Sequence, residues 1–309
     1  VAALSPLLAR GEIGLGCAPL GNLFTAITDD DARATVDAAW NAGVRLFDTA
    51  PLYGHGVSEA RLGAALARRP RHQYVLSTKV GRLLRVVSPR PPTVFAGVGP
   101  LDPVFDFSGD GVRRSIDDSL RRLGVDHLDI VHVHDPDDHE AQATEEAFPA
   151  LIELRDQGVI DKVGCGMNQT EMLGRFVQRV DLDCVLIAGR FTLLDRSAAD
   201  VLLPLCADRG VSVIVGGVFN SGLLADPSPG ATYDYAAAPA GLVRRAQRLR
   251  RLCAEQGVSL TAAALQFVRR HPAVTALVVG ARSAAEITAD MAALDEPVSD
   301  ELLTACAAV

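Results

Sequence analysis

Short runs of β-branched and aliphatic residues alternate along the chain with amphipathic stretches, and the rhythm recurs about eight times. The apolar runs read as strands that end near Cys17, Asp48, Lys79, His134, Cys165, Ala188, Gly216 and Gly280. Helix signals lie between them. Thr28 and Asp29 suit a cap for a helix stopping at Gly43, and Ser58 suits one for a helix stopping near Gly63 or shortly after. Further helical patterns run roughly from Gly111 to Leu123, Glu145 to Gln157, Gln169 to Val180, Ala198 to Arg209, Leu260 to Arg270 and Ser283 to Leu294, with an extra one from Leu242 to Gln256. Strand followed by helix, repeated in this way, predicts an α/β fold: a (β/α)8 TIM barrel, one domain over residues 1–309.

Two stretches break the rhythm: Val86 to Phe107, rich in Pro and Gly, and Asn220 to Ala240, with Pro227, Pro229 and Pro239. Both follow strand C-terminal ends, where barrels place their pockets, so they are expected to be loops shaping a substrate site. Surface decoration is the plainer alternative.

Composition narrows the partners. With 49% hydrophobic residues in 309, a large core is available. The 30 Lys plus Arg against 38 Asp plus Glu give a net charge of −8, with no basic block to neutralise a run of phosphates, which argues against nucleic acid. No apolar run approaches the roughly 18 residues that span a bilayer, so no membrane partner is expected. Cys17, Cys165, Cys184, Cys206, Cys253 and Cys306 form no close or metal-type spacing, consistent with reduced thiols in a cytoplasmic protein. A small molecule is the expected partner, and homo-oligomerisation is left open. The first residue is Val1 rather than Met, which leaves room for a missing start or leader.

Asp48, Lys79 and His134 each end a different candidate strand, and Tyr53 follows Asp48 in the next loop. In a parallel barrel those ends share one face, so a carboxylate, an ammonium, an imidazole and a phenol converge on its mouth. A phenol titrates near pH 10, and Lys79 is expected to lower that value while Asp48 holds the lysine. His134 is placed to donate to a substrate oxygen. The bland alternative is an ion pair beside a packed tyrosine and a satisfied histidine. Other patterns are weaker. Gly14 and Gly16 begin a GxG, but Pro19 stands at the third glycine position. His132 and His134, two apart on a strand, imitate the HxH of barrel metallohydrolases, yet no further ligand set is evident and Tyr53 and Lys79 are left unused. His132 is instead expected to be a hydrogen-bonded residue of the barrel interior, and no metal is expected.

The segments LFDTAPLYG, STKVG and DIVHVHDPD resemble, in order and spacing, the active-site motifs of the aldo-keto reductases. The resemblance implies a barrel that binds NAD or NADP without a Rossmann domain, with Tyr53 exchanging the proton and Asp48, Lys79 and His134 supporting it. GCAPLGNLF, TAPLYGHGVSE, GRFTLLDR, GGVFNSGLL and VVGARS are similar to the branch containing aldose 1-dehydrogenases, among them enzymes for L-fucose, L-galactose and D-arabinose, and pyridoxal 4-dehydrogenase. The implied reaction is oxidation of C1 of a cyclic sugar to the lactone. Oxidation of pyridoxal, general aldehyde or ketone reduction, and a cofactor-binding sensor without turnover are the alternatives.

By the same resemblance, the cofactor contacts fall at Gly16, Gly217, Ser221 and the run Gly280, Ala281, Arg282, Ser283, which opens a helix suited to phosphate. Asn168 is the expected carboxamide partner. Ala188 replaces the family's usual glutamine and Gly216 its stacking aromatic, for which Phe219 is the candidate substitute. Glu286 and Asp290 stand where many relatives bind the 2′-phosphate of NADP, which favours NAD, although Arg282 offers a compensating charge. Asp135 and Arg190 are the candidate contacts to sugar hydroxyls.

Overall fold

The computed structural model describes residues 4–309. Eight parallel strands close a barrel: β1 (Glu12–Gly16), β2 (Leu46–Asp48), β3 (Val75–Val80), β4 (Leu128–His134), β5 (Ile160–Met167), β6 (Cys184–Ala188), β7 (Ser212–Gly216) and β8 (Val274–Gly280). Each pairs with the next, and β8 returns to β1 with Gly16 opposite both Gly280 and Asp48. The expected strand ends stand within two residues of these. Parallel strands buried on both faces need apolar residues throughout, and alternation divides them: Leu46, Val75, Ile130, Leu186, Ile214 and Val278 fill the interior, whereas Phe47, Leu76 and Val131 pack outward beneath the helices. Leu4 and Leu8 join the interior group, so the segment before β1 closes the N-terminal end.

The helices follow their capping chemistry. In α1 (Asp29–Asn41), the Thr28 hydroxyl accepts the Asp31 amide at 3.1 Å while the Asp31 carboxylate accepts the Thr28 amide at 3.2 Å. The second helix, α2 (Val57–Leu66), corrects one expectation: its cap is Gly56, not Ser58. Ser58 is buried and donates to the Cys17 carbonyl at 2.7 Å. This helix ends shortly after Gly63, as expected, and the glycine is used for close packing: a β-carbon there would stand 2.3 Å from the Leu123 carbonyl oxygen, at the end of α3 (Gly109–Leu123). Then come α4 (Phe148–Asp156), entered through a π-helical turn at Ala143–Ala147, α5 (Thr170–Arg179) and α6 (Leu202–Arg209), which starts later than its pattern suggested. The extra helix is α7 (Ala240–Ala254), followed by α8 (Leu260–Arg269) and α9 (Ala284–Ala293). A last helix, α10 (Asp300–Ala308), capped by Ser299, was not read from the sequence.

Both interrupting stretches hold more order than expected. Arg82–Val86 and Leu101–Phe105 form an antiparallel hairpin after β3, and Thr232–Tyr233 with Ala236–Ala237 a smaller one after β7. All six cysteines are buried and unbridged. Among the described residues no helix is long and apolar enough to cross a membrane.

Helix propensity alone gives Gly63→Ala a gain of up to about 1 kcal/mol. Contact with the Leu123 backbone reverses the sign, and urea unfolding is expected to show a loss of about 1–3 kcal/mol.

Candidate active site

Strands β2, β3 and β4 are neighbours in the barrel, so their C-terminal ends bring Asp48, Lys79 and His134 together. Lys79 is 1% exposed. Its ammonium donates to Asp48 Oδ2 at 2.6 Å and to the Thr49 carbonyl at 2.8 Å, and the Ser77 hydroxyl donates to Asp48 Oδ1 at 2.7 Å. A buried ion pair survives only when its remaining hydrogen-bonding capacity is met in this way. Tyr53 lies above the pair: Lys79 Nζ is 4.7 Å from its ring centroid. The His134 ring stands edge-on to Tyr53, centroids 5.8 Å apart, and Phe95 lies 6.2 Å away on another side.

The turn that carries Tyr53 is held by backbone. Ser58 N donates to Tyr53 O at 3.2 Å, and Gly54, His55 and Gly56 all have positive φ, 62°, 54° and 93°. Gly54 meets Gly21 so closely that a β-carbon on Gly54 would stand 2.4 Å from the Gly21 carbonyl oxygen. Side chains on the opposite face of β3 anchor the following helix: Thr78 donates to the fully buried Glu59 at 2.7 Å, which also takes Arg122 at 2.6 Å.

The electrostatics correct one expectation. The Tyr53 phenol titrates well above its ordinary value, first because it is desolvated, then because Asp48 is near, with Tyr235, Asp135 and Cys17 adding to the rise. Lys79 does not reverse the rise, because desolvation of the phenol comes first and the Asp48 carboxylate, 2.6 Å from the ammonium, acts in the opposite sense. His134 is held neutral, its value pushed well down by burial and then by Arg82, Lys79 and His132. The site thus presents a neutral phenol and a neutral imidazole, both able to donate to one oxygen.

His132 lies in the barrel interior as expected, but neither ring nitrogen has a partner, and burial lowers its value to about 4. The expected hydrogen bonds are absent. The metallohydrolase reading gains nothing: among the described residues, the cluster able to hold an ion is His127, Asp129 and Asp161, at the other end of β4 and β5.

The remaining candidates divide. Asp135, with a left-handed φ of 43°, sits beside His134 (Nε2 to Oδ2, 3.5 Å) and takes Arg82 at 2.9 Å. Arg190 donates to Asp234 at 2.8 Å and to the Asn168 carbonyl at 3.1 Å, and with Asn168 it lines a polar cavity of about 400 Å³. Phe219 is partly buried against the core, and Gly217 packs on Gly189, where a β-carbon would stand 2.9 Å from an amide nitrogen. Ser221 accepts the Tyr235 amide at 3.2 Å. Gly280 ends β8 beside Gly16, Ala281 is buried, and Ser283 caps α9. Arg282 is spanned by Glu286, which takes its backbone amide and its guanidinium, each at 2.8 Å. Asp290, one turn further, is raised to about 7 by burial and then by Glu286.

Several neighbours escaped the sequence reading. Ser77 shares a strand face with Lys79, a period-two signal that was legible. Arg82, Phe95 and Tyr235 come from the two hairpin-bearing stretches; Tyr235 meets Phe24, ring centroids 6.1 Å apart.

The comparisons with known proteins assign the family. The Aldo/keto reductase family matches residues 12–309, and the chain belongs to that family of oxidoreductases. It is 42% identical to a D-threo-aldose 1-dehydrogenase of a Pseudomonas species, covering 96% of this chain and 93% of the relative. It is 41% identical to pyridoxal 4-dehydrogenase of Microbacterium luteolum, covering 94% and 92%. Among solved structures, an aldo-keto reductase of Bacillus halodurans in its holo form superposes with a TM-score of 0.75 at 28% identity, over 96% of this chain and 90% of that one.

Replacing Asp48 with Asn keeps the shape but leaves the Lys79 ammonium buried without its counter-charge. Denaturant unfolding of Asp48→Asn is expected to show a loss of about 3–5 kcal/mol.

Proposed function

We propose that this chain is a cytoplasmic aldose 1-dehydrogenase that oxidises C1 of a cyclic sugar of the L-fucose, L-galactose or D-arabinose type to the lactone. The observation that carries the reading is the buried Lys79–Asp48 pair, 2.6 Å apart, lying under the Tyr53 ring with His134 edge-on beside it. A bound nicotinamide dinucleotide supplies the hydride acceptor. Tyr53 accepts the proton of the C1 hydroxyl as the C1–H bond breaks, and His134, held neutral, donates to the same oxygen and fixes its direction. As the phenol ionises, the nearby ammonium favours its charged form. Asp135 and Arg82, side by side next to His134, face the sugar hydroxyls. The similarity to D-threo-aldose 1-dehydrogenase supports the substrate class. The nearly equal similarity to pyridoxal 4-dehydrogenase supports pyridoxal as the second reading.

For the dinucleotide, the chain offers backbone amides at the start of α9 together with Gly280, Ala281 and Ser283, turn positions at Gly16, Gly217 and Ser221, and Asn168 for the carboxamide. The donor set fits the group. Glu286 supports a preference: its carboxylate already sits on the amide and guanidinium of Arg282, so an adenosine 2′-phosphate would meet a negative charge, whereas a 2′-hydroxyl would find an acceptor. This favours NAD. A panel of aldoses and pyridoxal, run with NAD and NADP in parallel, tests both choices. Aldose-dependent reduction, faster with NAD, supports the proposal. Turnover of pyridoxal alone selects the second reading, and carbonyl reduction alone a general reductase.

Tyr53→Phe removes only the proton path, so turnover is expected to fall about 10²–10⁴-fold while a fluorescence titration finds dinucleotide affinity unchanged. The raised Tyr53 value sets the pH dependence. Oxidation needs the deprotonated phenol, whose fraction grows tenfold per unit below its pKa, so the oxidative rate climbs with a slope near one between about pH 8 and 10. Carbonyl reduction uses the protonated phenol and stays level over the same span; equal profiles in the two directions would contradict the assignment.

A further inference from the structure

The hairpin-bearing stretch after β3 hydrogen-bonds to the His55 side chain of the turn that carries Tyr53. His55, two residues beyond Tyr53, has φ 54°, a left-handed conformation disfavoured for a residue with a β-carbon, and glycines of the same hand stand on either side. Its ring is nonetheless enclosed, 7% exposed. Nδ1 lies 2.8 Å from the Leu101 carbonyl oxygen, which only accepts, so Nδ1 carries the proton, and Nε2 is hydrogen-bonded with the Thr93 hydroxyl at 3.3 Å. Asp102, wholly buried, stands 3.5 Å from Nδ1 and is gripped by Arg90 through two bonds of 2.8 and 2.9 Å. Leu101, Thr93, Asp102 and Arg90 all belong to the stretch after β3. So does Phe95, which packs on both the His55 and the Tyr53 rings, centroids 6.3 and 6.2 Å apart. A strained backbone kept at a non-glycine residue, with its ring spent wholly on a distant segment, marks a constraint rather than a solvated turn.

We propose that His55 is a positioning residue, which fastens the stretch from Arg82 to Phe107 onto the catalytic turn, so that the Tyr53 phenol and the Phe95 wall of the pocket are set as one unit. This rests on the reading of Tyr53 as the proton-exchanging group. Without the His55 ring, the turn keeps its backbone bonds but loses its hydrogen-bonded tie to the stretch from Arg82 to Phe107. A misplacement of about 1 Å at a reacting group costs on the order of 100-fold in rate.

Two substitutions separate the ring from the backbone. His55→Gly accepts the left-handed conformation but makes no bond; His55→Asn also accepts it, and its amide nitrogen lies where Nδ1 does. In steady-state assays, His55→Gly is expected to lower kcat by about 10- to 100-fold, with the KM for dinucleotide within about twofold of wild type. The kinetic isotope effect for substrate deuterated at the reacting carbon rises as chemistry becomes limiting, and His55→Asn recovers most of kcat. Hydrogen exchange, which needs no turnover, is expected to quicken together in residues 49–58 and 82–107 of His55→Gly. Arg90→Met, at a half-exposed guanidinium, gives the same pattern on a smaller scale and serves if His55→Gly folds poorly. Unchanged kcat, equal losses in the Gly and Asn variants, or exchange quickened in only one segment overturns the proposal. If no aldose is oxidised, the assays use carbonyl reduction. Wild-type turnover by Tyr53→Phe sinks the proton assignment alone, and the exchange arm still judges the coupling.

Discussion

The Lys79–Asp48 ion pair is the constraint around which the mouth of the barrel is arranged. Two charges excluded from water are tolerable only if each finds its partner and its remaining bonds, and here Ser77 and the Thr49 carbonyl complete the set. That requirement ties β2 to β3 at their C-terminal ends and sets both charges beneath Tyr53. A lone ammonium would draw the phenol toward ionisation, whereas here desolvation and the Asp48 carboxylate keep it protonated, beside an imidazole that burial also keeps uncharged.

Much of the architecture was legible because the barrel strands obey one rule throughout. Apolar runs that alternate between interior and outer layer and end at a polar residue mark both the strand and the end that carries function, which is why Asp48, Lys79 and His134 stood out. Capping chemistry placed α1 and α9 nearly to the residue. Ser58 misled because a serine before an apolar run has two uses: here its hydroxyl is turned inward to the Cys17 carbonyl, and the left-handed Gly56 starts the helix. The two hairpins were hidden by Pro- and Gly-rich composition, which signals turns but not the short antiparallel pairs between them.

The site was less legible where a role depends on what lies across space. That Arg190 is held by Asp234, or Asp102 by Arg90 beside His55, follows from packing of loops that no periodicity describes. The sign of the shift at Tyr53 was misjudged for a related reason: the sequence shows that a lysine is present, not that burial of the phenol and the Asp48 carboxylate outweigh it. The Arg282–Glu286 contact, one helical turn apart, could in contrast have been anticipated from spacing.

Leu4 and Leu8, packed with the interior side chains, leave the barrel sealed at its base. This plug lies at the opposite end of the strands from Asp48, Lys79 and His134, so the end that closes the core and the rim that carries chemistry can vary independently.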